Sequence, residues 1–382
     1  MAVRTVVHEV GAQLLEELLG DVGVGRREDK VRCSCGTVME SRGVKHKDIR
    51  TLLGPIRFGR SAYRCPRCAT VRHPGDEELD IVKTRYSPGV RRLVSDFASD
   101  STFKRVAHQL NVAAGLKISP KDCERIAEGV GEHVGRWLDA QRDNIRFAQV
   151  PPPEAEKNID TLYIEFDGTG VPMVPHEVAG RKGKQKDGSA KTREVKLGCV
   201  FTQTAFDDEG RPIRDPGSTS FVGAIEGAEH FQWRIYSEAV RRGLYDAKRV
   251  VVITDGAEWI RNIVQTQFPG STHIIDLYHA REHLVELCKL LFDRDLKRLN
   301  WYKDRWWELL DEGDIESIVE QASAFLPKDP RAKKDARQHV AYFDKNKARM
   351  RYADYFQQGL FVGSGVIEAG CKTVIGQRLK QS

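Results

Sequence analysis

No uninterrupted apolar run in this 382-residue chain approaches the ~20 residues that a membrane-spanning helix needs, and no signal-type apolar stretch opens it. With 30% charged residues and a mean hydropathy of -0.48, a membrane-spanning protein is excluded and a soluble, cytoplasmic chain is expected. A secreted disulfide scaffold is excluded too, because such scaffolds are short and cysteine-dense, whereas the eight cysteines here are spread unevenly over a long chain. Charge of one sign is also scarce: the net charge is only +6, so its distribution carries more information than its average. What the chain does have is length, enough for two or three units, and 40% hydrophobic residues with which to build their cores.

Four cysteines form two close pairs. Cys33 and Cys35 lie in RCSCG and Cys65 and Cys68 in RCPRC, with a 29-residue spacer that can carry a hairpin. Two thiolates on one tight turn can reach one tetrahedral ion, so a structural zinc site is expected, with four reduced thiols in a small core as the alternative. Cys123, Cys199 and Cys288 sit in apolar or helical contexts and are expected to pack. Residues 26 to 72 hold thirteen Lys/Arg against four Asp/Glu, the footprint of a basic module suited to nucleic acid.

An amphipathic helix is expected over residues 5 to 21. Between 87 and 139 three helical stretches follow, two opened by Ser87-Pro88 and Ser119-Pro120, where serine caps and proline suits the first turn. With a turn near Gly115 they fit either a helix-turn-helix, its recognition helix starting at Ser119, or a plain helical bundle. PPPEAEKN (151 to 158) reads as a linker. Beyond it, extended runs give way to alternating helix and strand, the pattern of a mixed sheet covered by helices, and residues 294 to 358 read as a helical insertion. Trp301, Trp306 and Trp307 in that insertion fit a DNA-facing wall or, more commonly at helical spacing, a core.

Two apolar runs, IEFDG and VVVITDG, end in an acid followed by glycine, placing Asp167 and Asp255 where a strand end can present a carboxylate to a metal. Each alone reads equally as a cap or turn former. Glu368 in SGVIEAGCK opens the last helix, one residue off the spacing of a capping box with Ser364. Three such carboxylates can hold two magnesium (or manganese) ions for phosphoryl transfer. His279, Glu282 and His283 spell H-x-x-E-H, a zinc peptidase pattern that is more often a polar helix face. The stretch from 179 to 196 carries seven Lys/Arg against two acids, with Arg181, Lys182, Lys184, Lys186, Lys191 and Arg193 poised to embrace a phosphate backbone. Residues 328 to 351 add nine Lys/Arg against three aspartates.

FDGTGVPMVPHEVAGRKGK, TREVKLGCVFTQT, VVITDGAEWI, IIDLYHAREHL and the final RMRYADYFQQGLFVGSGVIEAGCKTVIGQRLKQS together resemble a bacterial insertion-sequence transposase of the ISKra group, related to Mutator-like transposases. The resemblance is dense from 160 to 382 and looser before. It implies a DDE-type polynucleotidyl transferase or nuclease with an RNase H-like core (151 to 293 and 359 to 382) and a helical insertion (294 to 358). A zinc-binding module with its N-terminal helix (1 to 80) and a helix-turn-helix-like region (81 to 150) would precede that core. The resemblance assigns Asp167, Asp255 and Glu368 as the catalytic acids. It also matches Asp276-Leu277-Tyr278-His279 to a D/C-x-x-H signature, with His279 supporting the site. The implied substrates are terminal inverted repeats and target DNA, met in the bacterial cytoplasm at the nucleoid, with a homo-oligomer of at least two chains on the DNA. Similar sequences continue past the point, fourteen residues after Glu368, where this chain stops. The alternative expectation is therefore a truncated, catalytically inactive product that binds DNA as a repressor.

Overall fold

The computed structural model describes residues 2–21, 30–149, 159–183, 185, 188–292 and 294–380. The expected linker at 151 to 158 lies outside the described residues, as do Lys184 and Lys186. The chain divides into two compact units, Met1–Leu138 and Asp139–Ser382.

In the first unit, helix α1 (Ala2–Asp21) covers the expected amphipathic stretch. Its Ala12, Leu15 and Leu19 pack on Ile49, Ile56, Phe58 and Ile81, beneath an antiparallel hairpin of β1 (Glu40–Thr51) and β2 (Gly54–Arg64). A two-residue strand, β3 (Val71–Arg72), adds to β2, and the short α2 (Pro74–Glu78) follows. Helices α3 (Pro88–Ala98), α4 (Phe103–Ala114) and α5 (Pro120–Arg146) come next. Both serine-proline starts are used as expected: Ser87 Oγ accepts the Val90 amide at 3.4 Å and Ser119 Oγ the Asp122 amide at 3.0 Å. Helix α4 stops at Gly115, whose φ of +67° is one that glycine adopts without strain. Val90, Val94, Val106, Leu110, Cys123 and Ile126 close a common core between the three helices.

The second unit is built on a five-stranded mixed sheet. Its strands are β4 (Ile159–Pro172), β5 (Thr192–Gln203), β8 (Ser220–Ala224), β9 (Ala247–Thr254) and β10 (Thr272–Ile275), ordered β10-β9-β4-β5-β8. β4, β5 and β8 run antiparallel, whereas β9 and β10 join parallel to β4. A separate two-stranded ribbon, β6 (Ala205–Phe206) with β7 (Pro212–Ile213), decorates the β5–β8 connection. The sheet is mixed and helix-covered, as the alternation of extended and helical runs predicts.

Alternation along β4 shows why the sheet is covered on both sides. Leu162, Ile164 and Phe166 point into a core with Phe231 and Ile235 of α6 (Ala228–Arg241) and Ile260 and Ile263 of α7 (Glu258–Gln267). Tyr163 points the other way, toward Leu284, Leu287 and Cys288 of α8 (Leu277–Phe292). A strand buried on both faces must be apolar throughout, which is what TLYIEF nearly is. The helical stretch after α8 forms α9 (Leu296–Glu312), α10 (Ile315–Ala324), α11 (Pro330–Asn346) and α12 (Tyr352–Gln357). Trp306 is core here, fully buried and donating its indole N–H to Gln321 Oε1 at 2.9 Å, while Trp301 is exposed. The chain then returns to the sheet through α13 (Gly365–Gly370), a π-helical turn at Cys371–Gly376 and α14 (Gln377–Leu379).

Candidate catalytic and metal-binding sites

β4 and β9 are parallel neighbours, so Asp167 and Asp255 emerge at the same edge of the sheet. Asp255 follows the last residue of β9 as expected. Asp167 is different: β4 does not end there but runs on to Pro172, because Gly168 to Pro172 pair with Lys196 to Thr192 of β5. What ends is the pairing with β9, last seen at Glu165–Ile253, and this exposes Asp167 beside the β9 terminus. The glycines after the two acids are required by their surroundings. A Cβ at Gly168 would collide with the Glu194 carboxylate, and Gly256 turns with a φ of +90°.

Each aspartate uses one oxygen locally, Asp167 Oδ1 on the Gly168 amide at 2.6 Å and Asp255 Oδ1 on the Ala257 amide at 2.8 Å. Neither forms an ion pair with Lys or Arg among the described residues. Burial, and then the nearby Asp255, push the Asp167 carboxyl above its usual range. Asp167 Oδ2 takes the Cys371 thiol at 3.9 Å, and the two carboxylates at this edge are oxygen ligands of the kind that suits a hard divalent cation such as magnesium or manganese.

The third carboxylate arrives from the far end of the sequence. Tyr163 Oη donates to Gln203 Oε1 at 2.8 Å and accepts the Phe361 amide at 3.2 Å, and the Leu277 amide donates to the Val362 carbonyl at 3.0 Å. These bonds stitch residues 361 and 362 across the sheet, and α13 follows with Glu368. The side chains of Glu368, Asp276 and His279 meet with their ligand atoms all within 4.8 Å of one another. Asp276 is fully buried. Its Oδ1 accepts the His279 amide at 2.7 Å and lies 3.5 Å from His279 Nδ1, and its Oδ2 accepts the Ser364 amide. Burial works against the Asp276 charge, but the bonds from His279 and Ser364 prevail and hold it below the usual carboxylate range. The same Asp276 contact, reinforced by Asp255, raises His279 to about 9, so its imidazole is cationic at neutral pH. The Asp276 carboxylate, matched in sequence only as part of a signature, is thus a structural member of the site.

Glu165 is a neighbour of the site that the sequence reading misses. It is fully buried in mid-strand on the Asp167 face of β4, and burial, with Asp276 nearby, pushes it up to about 8. The available signal is a lone acid inside an otherwise apolar run, IEF.

The H-x-x-E-H pattern comes apart on α8. His283 turns away from the acids, its ring stacked on Tyr342 at 3.8 Å and its Nδ1 3.0 Å from His339 Nδ1, and burial lowers it to about 4. Only His279 joins Asp276 and Glu368 in a possible metal group among the described residues, which removes the two-histidine ligand set of the peptidase reading.

In the first unit the four expected cysteines converge, all sulfurs within 4.8 Å, with Cys33–Cys68 at 3.4 Å and Cys35–Cys65 at 3.6 Å. Tetrahedral thiolates about 2.3 Å from zinc stand about 3.8 Å apart, so the set fits the ion. The unusual C-x-C spacing works because the Cys33 amide and carbonyl pair with Thr37 and Gly36, and Gly36 turns with a φ of +83°. The Thr70 hydroxyl and amide pull the Cys68 thiol down to about 6.

Of the six basic loop residues, Arg181, Lys182 and Lys191 are exposed, whereas Arg193 is half-buried and 3.9 Å from Glu177.

A chain with a mixed α/β sheet that gathers acids at one edge, and with a four-cysteine cluster in a separate unit, is the class of protein these features define. No family model matches the chain. It is similar to a Streptococcus gallolyticus protein described as "UPF0236 protein in vanSb 3'region", 21% identical over an alignment of 310 positions, with 76% of this chain and 58% of that protein covered. The chain thus spans little more than half the length of this curated relative. Among solved structures it is matched to the Drosophila P element transposase strand transfer complex, at 12% identity over 66% of this chain and 64% of that one, with a TM-score of 0.27. A likeness at that score carries no argument about fold or chemistry.

Proposed function

We propose that the protein is a DNA transposase of an insertion sequence, a DDE-type enzyme that binds terminal inverted repeats and cuts and transfers DNA strands. The observation that carries this reading is the cluster of Glu368 from α13 with Asp276 and a cationic His279, to which Asp255, electrostatically coupled to both His279 and Asp167, adds the acids of the sheet edge. The five-stranded mixed sheet with a helical excursion before its last acid supports an RNase H-like core, in agreement with the sequence resemblance. Bound magnesium or manganese would activate water or a 3′-hydroxyl and stabilise the leaving oxygen. Asp167, Asp255 and Glu368 are the residues that would hold it. Asp276 orients His279 and keeps its proton, so the imidazolium offers positive charge to a phosphate at the sheet edge. Arg181, Lys182 and Lys191 add phosphate-directed charge on the loop after β4. Cys33, Cys35, Cys65 and Cys68 would hold a structural zinc ion, and with the capped helices α3 to α5 would form the part that recognises the element ends. Two ends must be held together for transfer, so a homo-oligomer on DNA belongs to the proposal.

The test is incubation of the purified protein with labelled DNA carrying its own element ends, in magnesium or manganese, beside Asp255→Ala. The expected outcome is cleavage by the wild type and none by the variant, with DNA binding unchanged. Equal cleavage by both would defeat the assignment, and binding without cleavage by either would turn the reading to a DNA-binding repressor.

A further inference from the structure

Glu165 has no part in the chemistry above, yet its position is costly. A carboxyl in mid-strand, within a sheet covered on both faces, is stable only where specific bonds hold it. Its Oε2 accepts the Ile367 amide at 2.9 Å, a bond between residues 202 apart in the chain, and the Cys199 thiol stands 3.8 Å from the same oxygen. Its Oε1 has no hydrogen-bond partner among the described residues. Ile367 immediately precedes Glu368. Its helix, α13, runs on through the π-helical turn into α14, but its first turn has no side-chain cap from Ser364, so the amides of that turn need partners from elsewhere. The start of this helix is gripped instead by two buried carboxylates from the sheet, Asp276 on the Ser364 amide and Glu165 on the Ile367 amide.

We propose that Glu165 is a positioning residue: by accepting the Ile367 amide it fixes the rotation of α13 that delivers the Glu368 carboxylate to Asp276 and His279. The importance of that delivery rests on Glu368 being the third acid, but the hold on α13 can be measured without that assumption. Glu165→Gln keeps an oxygen that can accept the amide. Glu165→Met keeps approximate size, removes the acceptor and places an apolar group in an apolar site, so folding is not endangered.

The experiment follows amide hydrogen exchange across residues 364 to 370 and 162 to 166 in the full chain, together with thermal melting and Mn2+ binding by electron paramagnetic resonance. In Glu165→Met, exchange in 364 to 370 is expected to rise and the Mn2+ dissociation constant to weaken, each about tenfold, as for a buried amide left without its acceptor. Exchange in β4 and the melting temperature stay near wild type, and Glu165→Gln stays within about threefold on every measure. Exchange at α13 as slow in Glu165→Met as in wild type overturns the proposal, as does an equal loss in both variants. If the wild type binds no Mn2+, the metal reading of the acids fails, and the exchange contrast alone decides for or against the positioning role.

Discussion

Replacing Asp276 by Asn tests the electrostatic centre of the site with a change of one atom. Asp276 is fully buried and its two oxygens serve the amides of His279 and Ser364 and the His279 ring. An amide side chain must turn its NH2 toward one of these donors, so the variant loses one charge-assisted bond and the charge itself, a cost of about 2–3 kcal/mol. The ring effect has a definite sign. His279 rises from 6.5 to about 9 in the folded protein. Its stabilising contribution is therefore complete below about pH 6.5 and fades as pH climbs through about 9. At full strength that shift corresponds to roughly 3 kcal/mol. The His279 side chain is 36% exposed, and solvent screening reduces the contribution to about 1–2 kcal/mol. Urea unfolding at about pH 6 and about pH 9.5, without added divalent ion, is expected to show this decline in wild type and a flatter profile in Asp276→Asn. NMR titration of the imidazole, assigned with His279→Gln, is expected to place wild-type His279 near 9 and the variant's close to the ordinary histidine value. A wild-type His279 titrating at its ordinary value, or no difference between the two proteins, would refute the reasoning.

The cysteine module and the loop after β4 give two further tests. The core beside the four sulfurs consists of little more than Cys33, Met39, Tyr63 and Cys65 with Val31, so a zinc contribution on the order of 10 kcal/mol would dominate its folding. One zinc per chain is expected, and chelation or Cys65→Ser should open residues 31 to 39 and 63 to 72 to protease while the second unit stays intact; a metal-free native protein with unchanged digestion would exclude the ion. Charge reversal at Arg181, Lys182 and Lys191 together should flatten the dependence of DNA affinity on salt by up to about three in logarithmic slope, about one for each phosphate no longer neutralised. An unchanged slope in a binding titration against sodium chloride would remove the loop from the DNA interface.

The parts of this protein written in local spacing are legible directly. Ser87-Pro88 and Ser119-Pro120 start helices, Gly115 ends one, the apolar runs before Asp167 and Asp255 become strands, and residues 294 to 358 fold as helices, because caps, turns and periodicity act over a few neighbours. The two cysteine pairs are equally readable, since each rests on its own turn. Packing across the chain decides the rest. Asp167 lies in mid-strand rather than at a strand end, because β5 keeps pairing with β4 beyond the point where β9 stops. His279 and His283, equivalent in the sequence pattern, part company because one meets Asp276 and the other His339 and Tyr342. Glu165 is an interruption in an apolar run until the Ile367 amide, brought back from the far end of the chain, supplies its partner. A one-dimensional pattern records which face a residue takes; which carboxylates share that face, and whether burial leaves them charged, is set only when distant segments close around them.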